Sequence, residues 1–141
     1  MSGYNAFLSF ANYMRDALAG QITVIIEKRE DEAVVYPYLL LQDGPDFIDR
    51  WLSSCMIQGW LVVRKEDDKP LVETLGRALD KVIAVSKDPG QLVKYDYSVT
   101  PAVESGALIP SISEVSQIMD SPKDSQVLRR VVTWELKSNN S

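Results

Sequence analysis

The sequence contains no histidine and a single cysteine, Cys55. The first absence removes the commonest general base together with the commonest transition-metal ligand, so catalysis here would have to run on carboxylates, lysine or tyrosine. The second excludes an intrachain disulfide and fits synthesis in a reducing compartment, the cytoplasm. Cys55 opens an apolar stretch, where a thiol with no base beside it reads as a small buried side chain. No apolar run reaches the ~18–20 residues that a membrane span needs. Asn5, Asn12, Arg15 and Asp16 interrupt the N-terminal segment where a secretory leader would be continuous. Neither Gly-x-Gly-x-x-Gly nor Gly-Lys-Ser/Thr occurs, and the seven glycines are scattered, so no phosphate cradle is spelled out. Basic residues are outnumbered, 15 against 20 acidic, for a net charge of −5. That balance opposes free-standing nucleic-acid binding, which draws its affinity from basic residues on phosphates. Carboxylates gather at Glu30-Asp31-Glu32 and Glu66-Asp67-Asp68, with Asp43 and Asp46 as further candidates. Without an Asp-x-Asp-x-Asp-Gly loop these read as solvated turns, and no metal or cofactor is implied.

What is present is an ordinary globular composition, 45% apolar and 25% charged over 141 residues, enough for one domain spanning 1–141 with a core of its own. The centre of the pattern is 56–85. Met56 to Arg64 is apolar, β-branched and aromatic, as a packed strand requires. A charged turn and Pro70 follow. Leu71, Val72, Leu75, Ala78, Leu79, Val82 and Ile83 then form one stripe of an amphipathic helix. Upstream, Tyr4, Phe7, Leu8, Ala11, Met14 and Leu18 predict an N-terminal helix closed by Gly20. Strands are predicted at 21–28 and 33–42 as a hairpin, with Pro37 at an edge or bulge. Asp43-Gly44-Pro45-Asp46 reads as a break, and Phe47 to Leu52 as a helical turn. Downstream, 92–99 reads as a strand with Val93, Tyr95, Tyr97 and Val99 on one side and Lys94, Asp96 and Ser98 on the other. Residues 100–110 read as an irregular loop. Ser111-Ile-Ser-Glu114 has the spacing of a capping box and predicts a short helix ending before Pro122. The last strand is 126–137 and 138–141 a frayed tail. The expected class is α+β: a mostly antiparallel sheet of about five strands carrying two main helices and one short extra helix.

Few residues offer chemistry. Trp51, Trp60 and Trp134 suit either an aromatic platform or the core, and their apolar neighbours favour the core. Arg129 and Arg130 in the last strand and Arg64 with Lys65 at the end of another would form a basic strip if those strands are neighbours. Such a strip is either a subunit contact to an acidic turn of the next protomer or a solvated face. A small ligand-binding domain or enzyme would gather Tyr95, Asp96, Tyr97 and Trp60 around a pocket.

In the order and lengths of its elements the chain resembles the tail-terminator (tail-completion, minor tail protein U-like) family of long-tailed bacteriophages. The resemblance rests on the helix Tyr4–Ala19, the strands Ile22–Lys28 and Val34–Gln42 with the Tyr-Pro-Tyr-Leu-Leu-Leu pattern, the strand Met56–Lys65, and the helix Pro70–Val85. The Tyr-Asp-Tyr stretch at Tyr95–Tyr97 and the terminal strand Val127–Leu136 complete it. It implies a structural virion protein, not an enzyme, made in the host cytoplasm and placed in the tail or neck. Such proteins close a ring, usually a hexamer, on the last ring of tail-tube protein. They stop polymerisation there and meet the head-completion (stopper) protein. Arg64, Arg129 and Arg130 against Glu30, Asp31 and Glu32 of a neighbour are then the expected ring contact. Genomic DNA would only pass through, with no sequence-specific binding and no membrane. A stopper or tube protein of the same machine is the nearest alternative.

Overall fold

The computed structural model describes residues 3–26, 35–48, 52–65, 69–88, 90–121 and 124–139. They form two helices and one seven-stranded sheet. Helix α1 (Gly3–Ala17) buries Phe7, Phe10, Ala11 and Met14, the i, i+3, i+4, i+7 spacing of one helical face. Its exit turn buries Leu18 and passes through Gly20 at φ 81°, with the Ile22 amide donating to the Leu18 carbonyl. Helix α2 (Leu71–Lys87) follows Pro70 at the N-cap position and buries Leu75, Ala78, Leu79 and Val82. Glu73 in its first turn and Lys87 in its last complement the helix dipole.

Around these helices run β1 (Thr23–Ile26), β2 (Tyr38–Ile48), β3 (Leu52–Arg64), β4 (Leu92–Asp96), β5 (Val103–Val115), β6 (Met119–Ser121) and β7 (Asp124–Asn139). The spatial order is β1-β2-β3-β7-β5-β4, and β6 also pairs with β7. β3 is the strand that the apolar stretch beginning at Met56 predicts, and it starts earlier, at Leu52. It pairs with β7 without interruption, from Leu52 opposite Asn139 to Arg64 opposite Val127. Cys55, Ile57, Leu61 and Val63 of β3 and Leu128, Val132, Trp134 and Leu136 of β7 alternate inward, and both helices pack on that side. Cys55 is a buried free thiol of this core.

Trp134 is the keystone of the packing. Its ring lies 5.2 Å from that of Phe10, tilted by 55°. The position beneath it is Gly59, where a Cβ would come within 2.6 Å of Trp134 Cζ3 and 3.0 Å of Leu39 Cδ1. Glycine is what lets the indole come this close to the β3 backbone.

Several expectations are corrected. β1 and β2 are parallel, Thr23 opposite Tyr38, and are not a hairpin. The eleven residues between them, 27–37, suit the crossover of about a dozen that a parallel pair requires. Asp43–Asp46 does not break the chain: β2 runs through it with one extra residue relative to β3, a bulge that absorbs the Gly-Pro pair. β2 continues to Ile48 and β3 begins at Leu52, which replaces the helical turn over Phe47–Leu52 wherever it is described. The loop at 100–110 and the short helix at 111–121 are instead β5 and β6. Ile112 pairs with Trp134 and Val115 with Val132, so a bulge in β5 sets two core-facing residues three apart and imitates helical spacing. Pro110 is tolerated because it lies beyond Leu108, the last residue of β5 with a β4 partner. Of the expected tail, Ser138 and Asn139 pair with β3.

Candidate functional site

Both helices cover one face of the sheet; the other face carries no helix among the described residues. The cross-strand pairs define that second face. Tyr38, Val62 and Arg129 form one row, and Leu40, Trp60 and Val131 the next. Arg64 opposite Val127 closes its end. β3 and β7 are thus direct neighbours, the condition for a basic strip, and Arg64 and Arg129 share a face one residue pair apart along the strands.

The two cations are held over aromatic rings. The Arg129 guanidinium carbon lies 5.4 Å from the Trp60 ring centre, and that of Arg64 lies 5.8 Å from the ring of Tyr36. Such contacts are worth about 0.5–2 kcal/mol depending on desolvation. Tyr36 and Tyr38 pack ring to ring at 5.4 Å. Burial raises the pKa of Tyr38, Tyr36 adds to the rise, and Arg129 opposes it. Nε of Arg129 is buried and meets no hydrogen-bond acceptor among the described residues. Trp60 is partly exposed, whereas Trp134 is wholly in the core.

Arg130 points the other way, in register with Leu61. Its Nε donates to the Ser116 carbonyl at 2.7 Å, beside bonds from the Ser116 amide to the Val131 carbonyl and from the Val131 amide to Ser116 Oγ. Arg130 therefore pins the passage from β5 to β6 and does not join Arg64 and Arg129. Glu30, Asp31 and Glu32 lie outside the described residues, as do Trp51 and Glu66-Asp67-Asp68.

A second polar cluster lies where α1 meets β4. Asn5 Nδ2 donates to Asp96, Asn12 Nδ2 to the Tyr97 hydroxyl, and the Tyr95 amide to Ser9 Oγ at 2.9 Å. The Tyr97 amide donates to Asn5 Oδ1 at 3.2 Å. These bonds occupy donors along the edge strand, one of the ways a protein blunts a sheet edge. Ser98 donates to Asp96 through its amide and its hydroxyl; these bonds, led by the hydroxyl, hold the carboxyl below its ordinary range. Sequence alternation puts Lys94 on the wet side, and the structure reverses this. Lys94 is 2% exposed while Val93 is 43% exposed. Burial lowers the Lys94 pKa, opposed by nearby Cys55 and Asp96. The one hint in the sequence is Leu92, two residues earlier and so on the same face.

Tyr95, Asp96 and Tyr97 are thus engaged with α1, and Trp60 stands on the opposite side of the sheet. They do not gather around a pocket. An open groove of about 530 Å³ lies elsewhere, lined by Arg15, Gln21, Thr23 and Tyr36 among others. Among the described residues no three His, Cys, Asp or Glu side chains are grouped to hold a metal, and no helix is long and apolar enough to cross a membrane. Comparison of the sequence with protein-family models and with curated proteins gave no match to either.

Proposed function

We propose that this chain is a structural assembly subunit of a phage tail, a terminator that closes as a ring, usually of six copies, on the end of the tail tube. The observation that carries the reading is the second face of the sheet. It sets Trp60, Leu40, Tyr36 and Tyr38 beside two guanidinium groups and is left without a helix among the described residues. A β-sheet face of this composition suits a protein partner. Heterologous contacts between copies close into a ring when the rotation divides a full turn. One side of such a ring would match the tube protein and the other would meet the stopper protein. An acidic subunit, net −5, suits a passage through which DNA moves without being held.

Electron microscopy and light scattering of the purified protein, alone and with preformed tail tubes, test the reading. Closed rings, or single caps on tube ends, are the expected result. Filaments of the protein alone would assign it to the tube instead. A subunit that stays monomeric with and without tubes would refute the structural reading.

A further inference from the structure

Two grooves meet near the start of β1. The one of about 530 Å³ is lined by Arg15, Thr23 and Val35 among others, and a second of about 220 Å³ by Thr74, Arg77 and Lys81 of α2. Gln21, Ile22 and Pro37 line both, so the two join into one furrow between α2 and the turn from α1 into β1. Among the described residues no carboxylate lines either groove, although acidic residues outnumber basic ones 20 to 15 in the chain. Asp16 and Asp80, next in sequence to Arg15 and Lys81, are not part of the lining. Glu73 takes one hydrogen bond from Arg77, through Nη2, and leaves the other guanidinium donors. Lys69 stands at the α2 end with a contact of its own. Arg15, Arg77 and Lys81 are all exposed.

We infer that this furrow binds an extended acidic segment of a partner protein, with carboxylates at alternate positions. The site goes beyond the tail-assembly reading and stands without it. Spacing and charge carry it together. Arg77 and Lys81 lie one helical turn apart, which puts about 5–6 Å between their Cβ atoms. Alternate residues of an extended chain lie about 6.8 Å apart and point to one side. Two carboxylates separated by one residue therefore meet both cations, and the residue between them turns to the opposite wall at Ile22 and Pro37. Gln21, where the grooves join, offers an amide that both donates to and accepts from a passing main chain. Arg15, in the larger groove, holds a further carboxylate in the two-pronged way guanidinium groups favour. Exposed Val35, at 66%, supplies apolar wall there. A phosphodiester strand suits the furrow less well. A net charge of −5 repels its continuous charge, and the one aromatic ring in the lining, Tyr36, already packs on Tyr38.

Nuclear magnetic resonance titration of the whole chain at low salt tests this, with a peptide of about eight residues alternating glutamate and valine as the probe. Saturable shifts at the amides of Gln21, Ile22 and Ala78, weakening as salt is added, are expected. Arg77→Gln combined with Lys81→Gln should raise the Kd at least about fivefold, and Arg15→Gln should raise it by about twofold or more. Lys87→Gln, a cation of α2 outside the furrow, should leave it unchanged. All of these side chains are exposed, so folding is preserved, as circular dichroism would verify. No saturable shifts, equal binding of a peptide with glutamine for glutamate, or equal loss in Lys87→Gln overturns the inference. A single-stranded oligonucleotide that shifts the same amides at lower concentration than the peptide overturns it in favour of a nucleic-acid site.

Discussion

Gly59→Ala adds one methyl group beneath Trp134, and the structure sets its expected effect. The new Cβ would stand 2.6 Å from Cζ3 and 3.1 Å from Cη2 of an indole that is 0% exposed. That is about 0.8 Å short of ordinary contact. The ring has little room to retreat, since Phe10 of α1 packs on it. Overpacking of this kind costs about 1–3 kcal/mol. Replacing glycine also removes freedom from the unfolded chain, which offsets roughly 0.4–1 kcal/mol. The net loss is about 1–2 kcal/mol. For a domain of this size it lowers the thermal midpoint by about 3–6 °C. Urea and thermal unfolding followed by circular dichroism measure both figures. The same substitution in a Trp134→Phe background should cost clearly less, because the six-membered ring of the indole is gone and only the 3.0 Å approach to Leu39 Cδ1 remains. An alanine that stabilises the native background, or costs the same in both, would refute the account of Gly59 as the seat of Trp134.

Two further outcomes follow from the α1–β4 junction. Burial lowers the Lys94 pKa, so its contribution to stability is complete above the unfolded value of about 10.4 and is lost as pH falls through the folded one. Lys94→Met, which keeps the length without the charge, should therefore lose less stability than wild type when denaturation midpoints are compared from alkaline to neutral pH; equal slopes would remove Lys94 as the cause. The Asp96 pKa lies below the ordinary carboxylate value of 3.8, chiefly because of the hydrogen bonds from Ser98. Its contribution is present above that value and disappears as pH falls through the folded one, so Asp96→Asn should flatten the acid limb of the urea-midpoint profile.

The parts of this fold that are legible in the sequence are those with an undisturbed period. α2 and β7 emerge because their apolar positions recur without interruption, and α1 because Gly20 marks its end. The misread parts are those where geometry inserts a residue. A bulge between Ile112 and Glu114 turns a strand's spacing of two into three, and beside a Ser-x-x-Glu pattern that reads as a helix. A bulge at Asp43–Asp46 hides a strand behind a Gly-Pro turn signature. The parallel pairing of β1 was invisible because adjacency in sequence says nothing of chain direction. Of the basic residues, the pattern places Arg64 and Arg129 together correctly once β3 and β7 pair. It cannot tell that Arg130, one residue on, faces away, except through the alternation every strand imposes. Lys94 escaped for the opposite reason, since a charged residue at an inward position contradicts the pattern used to find inward positions.

Asn5 and Ser9 hold the backbone donors of Tyr95 and Tyr97. A stranger's strand arriving at that flank finds those main-chain groups already taken. Any molecule that docks there must do so through side chains, by fit and by charge, and contacts of that sort loosen in salt and re-form on dilution of it. The flank is thereby protected from the irreversible zippering that threatens any molecule with so much sheet.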